Sequence, residues 1–162
     1  MTRTPMDATS SVISYLSGRQ VAAQWKVFLL STGQELAEKF SAAELRTFMR
    51  RVGGRFGREL PVPACTTLDD IQLAMSQIWT RLDWGWVEIT DQTDHLRLQH
   101  YCAPLEAALG REALDWTPSF LEGVYQQWFE QLGAGDRLRV SQISDFDGIS
   151  GIGLRLGSPA AA

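Results

Sequence analysis

His95 and His100 are the only histidines in the chain, and Cys65 and Cys102 the only cysteines. A histidine pair five residues apart in an extended segment points to opposite faces of a strand, so the two cannot share a metal ion or one substrate. A general base also needs an orienting partner and a pocket. Each histidine is therefore expected to be structural or at the surface. Cys65 follows Pro61-Val62-Pro63-Ala64 with no base beside it, and is read as a small buried hydrophobe. There is no CxxC pair and no Cys/His cluster at zinc spacing, so a metal cofactor is not expected. Asp145 and Asp147 look like paired carboxylates, but Asp145-Phe146-Asp147-Gly148 has the composition of a tight turn. Gly53-Gly54-Arg55-Phe56-Gly57-Arg58 lacks the preceding strand and the Lys-Ser/Thr of a phosphate loop. No catalytic set emerges, which points to a protein that works by binding or assembly and not as an enzyme.

Two other groups of residues stand out. Arg46, Arg50, Arg51, Arg55 and Arg58 crowd one segment, in a chain with fifteen basic residues of which only Lys26 and Lys39 are lysine. Arginine suits bidentate and interfacial contacts, so Arg50, Arg51, Gly53, Gly54, Arg55 and Arg58 form a candidate subunit interface, with a solvated face as the plain alternative. The second group is aromatic, with six Trp and seven Phe. Trp84 and Trp86 are expected on one face of a strand, either under helices or stacked on a flat partner such as a sugar ring or another subunit.

These residues must be carried by elements that the periodicity defines. The 162 residues suit one domain, and 44% apolar with 21% charged residues suffices for a core. Residues 1–18, rich in Ser and Thr, read as a flexible arm and residues 158–162 as a frayed tail, leaving 19–157 as the domain. A helical stretch from Gln20 to Lys39 carries Val21, Trp25, Phe28, Leu29 and Leu36, with Thr32-Gly33 a possible break. Ser41 and Glu44 form a capping box before Leu45, Phe48, Met49, Val52 and Phe56, a strong amphipathic stripe. Gly53, Gly54 and Gly57 each cost about 1 kcal/mol there relative to Ala, so another helix must approach closely or the helix ends. Thr66 or Thr67 caps a third helix with Leu68, Ile71, Met75, Ile78, Trp79 and Leu82 inward.

Beyond Asp83 the period changes to two. Trp84–Thr90 and His95–His100 form a hairpin around Asp91–Asp94. A short helical connection over Pro104–Leu114 leads to a helix opened by Thr117-Pro118. Its inner face is Phe120, Leu121, Val124, Tyr125, Trp128, Phe129 and Leu132, and Gly133 stops it. Leu138–Ile143 and Ile149–Leu156 make a second hairpin. The order is helices, hairpin, helix, hairpin, an α+β domain without a visible internal repeat. A net charge of −4 argues against nucleic acid and anionic membrane as partners. No run nears the roughly 20 apolar residues of a membrane span, and the first residues lack a secretory core, so a cytoplasmic location is expected.

The order of motifs resembles the D-subunit family of bacterial cellulose synthase. The resemblance rests on Arg50, Val52-Gly53, Pro63-x-Cys65-x-Thr67, Gln72 and Trp84-Gly85-x-Val87. It continues through Leu96-Arg97, His100, Pro104 and Trp116 into Phe120-Leu121-Glu122-Gly123-Val124-Tyr125-Gln126-Gln127-Trp128, and covers about Leu45 to Leu156. Two departures are a shorter, more helical Glu106–Asp115 and a different arm. The resemblance implies a non-catalytic accessory subunit near the inner-membrane synthase, with its other components, itself and β-1,4-glucan as partners. It implies a cylindrical octamer, a tetramer of dimers, that guides nascent glucan and promotes cellulose crystallisation. The arginine face would then be an interface or face the glucan. A looser likeness links the chain to vesicle-tethering Bet3 and 4-vinyl-reductase-like domains. It leaves two alternatives: a small-molecule-binding regulatory domain, or an adaptor with no glucan contact.

Overall fold

A computed structural model describes residues 5–148 and 151–159. The elements run α1 (Pro5–Ser17), α2 (Ala23–Lys39), α3 (Ala42–Glu59), α4 (Leu68–Arg81), β1 (Trp86–Asp91), β2 (His95–Tyr101), α5 (Leu105–Leu109), a 3-10 turn (Arg111–Asp115), α6 (Ser119–Gln131), β3 (Arg139–Gln142) and β4 (Ile152–Gly157). The strands form one antiparallel sheet in the order β1-β2-β4-β3. This is an α+β domain, as the alternation of helical and two-residue periods requires.

Local chemistry sets the helix starts. The Glu44 N–H donates to Ser41 Oγ at 3.3 Å while the Ser41 N–H donates to the Glu44 carboxylate at 2.8 Å. Thr67 and Asp70 repeat that box on α4. Both satisfy amides that have no partner within the helix. Gly33 does not interrupt α2. It is buried, and a Cβ there would meet the Leu109 carbonyl oxygen at 3.0 Å, so the glycine lets α2 lie against α5.

The second half repeats a pattern that the sequence does not display. Helix–strand–strand occurs as α4-β1-β2 and again as α6-β3-β4, and β2 pairs with β4 at the join. In both units the helix flanks the sheet edge and caps two of its amides with side chains one turn apart. On α4, the Gln72 side-chain Oε1 accepts the Ile89 N–H at 2.7 Å, and Ser76 Oγ both accepts from and donates to Val87. On α6, Glu122 accepts the Gln142 N–H and Gln126 the Val140 N–H, each at 2.8 Å. Edge amides that would otherwise invite another strand are thus occupied.

Two expectations change, those for Trp84 with Trp86 and for the last hairpin, and the two ends of the chain gain detail. Residues 1–18 are helical over Pro5–Ser17, although Val12, Tyr15 and Leu16 remain exposed. Of the expected tail, Ser158 and Pro159 follow β4, and 160–162 lie outside the described residues. Trp84 and Trp86 do not share a strand face. Asp83 and Gly85 have φ of 59° and 80°, so the chain turns before β1, sending Trp84 inward and leaving Trp86 outside. The β3–β4 connection is longer than a tight turn. The Ile143 N–H still reaches the Gly153 carbonyl at 2.9 Å, but Ser144 Oγ then takes the Gly153 N–H and ends the ladder. Ile149, expected to begin the last strand, lies outside the described residues.

The core is aromatic. Trp79 contacts Phe56, Trp84, His100, Tyr125 and Trp128 with ring centroids 5.0–6.0 Å apart. Trp128 is fully buried, and its indole N–H donates to the Leu60 carbonyl at 2.8 Å. Replacing Trp128 with Ala removes both ring and donor, and should lower stability by about 3–5 kcal/mol in urea unfolding.

Candidate functional site

The arginine helix is committed first to the fold. Gly53 and Gly123 face each other across α3 and α6. A Cβ on Gly53 would lie 2.0 Å from the Phe120 carbonyl oxygen, and one on Gly123 2.0 Å from that of Arg50. Backbone touches backbone, which only glycine permits. Beside this contact Glu122 is 2% exposed and takes the Arg50 guanidinium at 2.5 Å, with Arg46 at 3.7 Å. Arg46 also donates to the Asp115 carbonyl at 2.8 Å. One carboxylate thereby joins α3, α6 and, through the Gln142 amide, β3. A buried carboxylate is tolerated only when paired and hydrogen-bonded in this way.

The six residues expected at an interface consequently separate. Gly53 is buried inside the chain, because the close helix approach it signals is to α6. Arg50 pairs with Glu122, and Arg58 donates to the Gln127 side chain at 2.9 Å. Arg51 and Arg55 are exposed, and Gly54 is half-buried with only the Arg58 side chain near its missing Cβ. Sequence reasoning passed over Glu122 as an individual. An acid between the apolar residues Leu121 and Val124 of a buried helix face was the available signal, since such a group demands a cation.

The histidines differ as their spacing requires. His95 sits at the hairpin turn with Nδ1 2.6 Å from the Asp94 carboxylate, a hydrogen bond that holds Asp94 below its ordinary value. His100 is buried, with Nε2 2.8 Å from the Trp84 carbonyl and Nδ1 2.6 Å from the Tyr125 hydroxyl. A carbonyl only accepts, so Nε2 carries the proton and the hydroxyl donates to Nδ1. Burial pushes the His100 pKa down to about 4 and raises that of Tyr125 well above its usual value. This pair locks the Trp84 turn to α6.

Elsewhere, Cys65 is half-buried and donates to the Pro63 carbonyl at 3.2 Å, a less enclosed position than expected. Cys102 is exposed. The Gly53–Arg58 segment is helical, and Asp145 and Asp147 lie in the β3–β4 connection. Among the described residues no three His, Cys, Asp or Glu side chains converge as metal ligands. The surface is unusually apolar on α2, where Trp25, Val27 and Phe28 are 55–72% exposed, with Phe40 just beyond. Phe28, Leu36 and Phe40 line a shallow groove along that helix. Trp86 stacks on Tyr101 with centroids 5.2 Å apart and 26° between planes.

Residues 11–152 match the family model for the D subunit of cellulose synthase. The chain is 27% identical over 111 residues to a cellulose synthase operon protein D of Komagataeibacter xylinus, covering 67% of this chain and 71% of that protein. It is 26% identical over 107 residues to the protein of that name from Komagataeibacter sucrofermentans, covering 64% and 68%. Among solved structures it is similar to a trafficking protein particle complex subunit 3 from Naegleria fowleri covalently bound to palmitic acid. The TM-score is 0.54 at 14% identity, over 85% of this chain and 96% of that one. That likeness is one of fold.

The His100 environment predicts an acid-sensitive stability. The folded pKa lies below the ordinary 6.5, so between pH 6.5 and about 4 the unfolded chain binds the proton first. The His100 contribution is therefore complete above pH 6.5 and declines as pH falls towards 4. Between pH 7 and 4.5 the wild type should lose about 2–3 kcal/mol more than a His100→Gln variant in urea unfolding.

Proposed function

The chain belongs to the D-subunit family of cellulose synthase, and from that premise we propose that it is a non-catalytic accessory subunit that assembles with itself and organises nascent β-1,4-glucan. The family match over residues 11–152 carries this reading. In it, the protein lies beside the inner-membrane synthase on the cytoplasmic side, contacts other synthase components, guides glucan chains and promotes their crystallisation. The assembly is an octamer built from dimers.

Two structural features support it. The buried titratable groups have structural partners: Glu122 is held by Arg50, and His100 by Tyr125 and the Trp84 carbonyl. Groups so committed are not poised for proton transfer. The exposed aromatic face of α2 is the surface we assign to self-association, since large apolar patches on a folded domain mark contact sites. Arg51 and Arg55 on the outward side of α3 are assigned to its polar rim. No helix among the described residues is long and apolar enough to cross a membrane, and the acidic balance disfavours nucleic acid.

Native mass spectrometry beside cello-oligosaccharide titration tests the reading. An assembly larger than a dimer that binds cello-oligosaccharide is the expected result. A micromolar monomer that binds an apolar small molecule would point instead to a ligand-sensing domain. An oligomer indifferent to glucan would be an adaptor.

A further inference from the structure

Between the end of α1 and the start of β1 lies an open groove of about 450 Å³, walled by Trp86 and by Leu16, Arg19, Gln20, Thr80 and Asp83. Its size falls in the range of sites for small or extended ligands. Trp86 is 43% exposed, yet it is not loose, because its other face is stacked on Tyr101. An exposed indole held from behind presents a fixed flat surface at little entropic cost on binding.

The backbone around this groove is strained. Among the described residues, Asp83 and Cys102 are the non-glycine residues with positive φ, both at 59°. Such conformations persist only where the surroundings over-determine them, and they gather at binding sites. Here the Gln20 side-chain amide holds both, donating to the Asp83 carbonyl at 3.2 Å and to the Cys102 carbonyl at 2.9 Å. Thr80 Oγ1 donates to the Gly85 carbonyl at 3.1 Å, fixing the intervening turn. A Cβ on Gly85 would lie within 1.8 Å of the Tyr101 carbonyl oxygen, so the turn cannot relax outward past β2. The Asp83 carboxylate is left facing solvent, and Arg19 rests over the Tyr15 ring with one nitrogen donating to the Tyr15 hydroxyl.

We infer that this groove is a pyranose subsite for β-1,4-glucan, an assignment that rests on the glucan reading above. An equatorially substituted glucose ring has two flat C–H faces and a rim of hydroxyls. The free face of Trp86 takes a C–H face. Asp83 accepts from ring hydroxyls, Gln20 Oε1 is a second acceptor, and the Arg19 guanidinium donates. One acid and one base leave the groove without excess charge, which fits a neutral polyol and disfavours an anionic or cationic ligand. The groove is open, so a chain can pass through without being enclosed. Trp86 is a positioning and binding residue here, with no bond made or broken.

The experiment is a titration of the full chain with cellohexaose, followed by tryptophan fluorescence and ligand-observed NMR, with maltohexaose as the control. Wild type should bind cellohexaose in preference to maltohexaose. Trp86→Ala and Trp86→Leu, the latter keeping apolar cover over Tyr101, should weaken binding about tenfold, and Asp83→Asn several-fold. None of these should change the native mass. If wild type fails to bind cellohexaose, the glucan reading itself falls and this subsite with it. If wild type binds and both Trp86 variants bind equally well, the reading stands and the subsite is overturned. If the Trp86 variants alter the native mass but not the affinity, the groove is an interface between copies, and the subsite is again overturned.

Discussion

The contact of α3 with α6 through Gly53 and Gly123 is the constraint on which the remaining geometry depends. With no side chain between them, the two backbones meet, and residues on either side are brought closer than ordinary helix packing allows. Arg50 can then reach Glu122, and Glu122 can at once accept the Gln142 amide at the end of the outer strand β3. A turn further along, Gly57 lies over Gln127. Trp128 then comes close enough to close the Leu60 carbonyl at the end of α3. A methyl group at either central glycine would have to displace backbone, the kind of overpacking that costs roughly 1–3 kcal/mol or more.

The paired helix–strand–strand units determine where another molecule can attach. Strand pairing is the simplest route to association for an open sheet, yet Gln72 and Ser76 cover β1 while Glu122 and Gln126 cover β3. Partners are left with helix faces, the outer sheet surface and the grooves between elements. The aromatic residues of α2 and the exposed Trp86 are apolar features of that remaining surface. They lie on different elements, so the proposed assembly face and the proposed glucan groove are separate patches.

Much of this architecture was legible in the sequence because local signals agreed. The Ser41–Glu44 box, the stripe from Leu45 to Phe56 and the Thr67 cap all locate helices where they occur. The alternation through Val87, Ile89, Leu98 and His100 gives the first hairpin its buried face. What was hidden depends on long-range partners. Glycines in α3 announce a close approach without saying that the neighbour is α6 of the same chain, hence the reading of Gly53 and Arg50 as interface residues. The separation of Trp84 from Trp86 turns on the left-handed conformation of Asp83, which no composition rule assigns to an aspartate there. The internal repeat escapes the sequence because its two halves share hydrogen-bonding roles, with Gln72 and Ser76 matched by Glu122 and Gln126, and not residue types.

In the proposed function the chain stands outside the chemistry of polymerisation and acts on the organisation of its product. The direct measurement compares a strain lacking the gene with its parent, recording UDP-glucose turnover in isolated membranes beside the amount and crystallinity of cellulose made by intact cells. Turnover nearly unchanged, with cellulose yield or order clearly reduced, is the predicted result. Cellulose unchanged in amount, ribbon shape and crystallinity would contradict it, as would release of UDP from UDP-glucose by the purified protein alone.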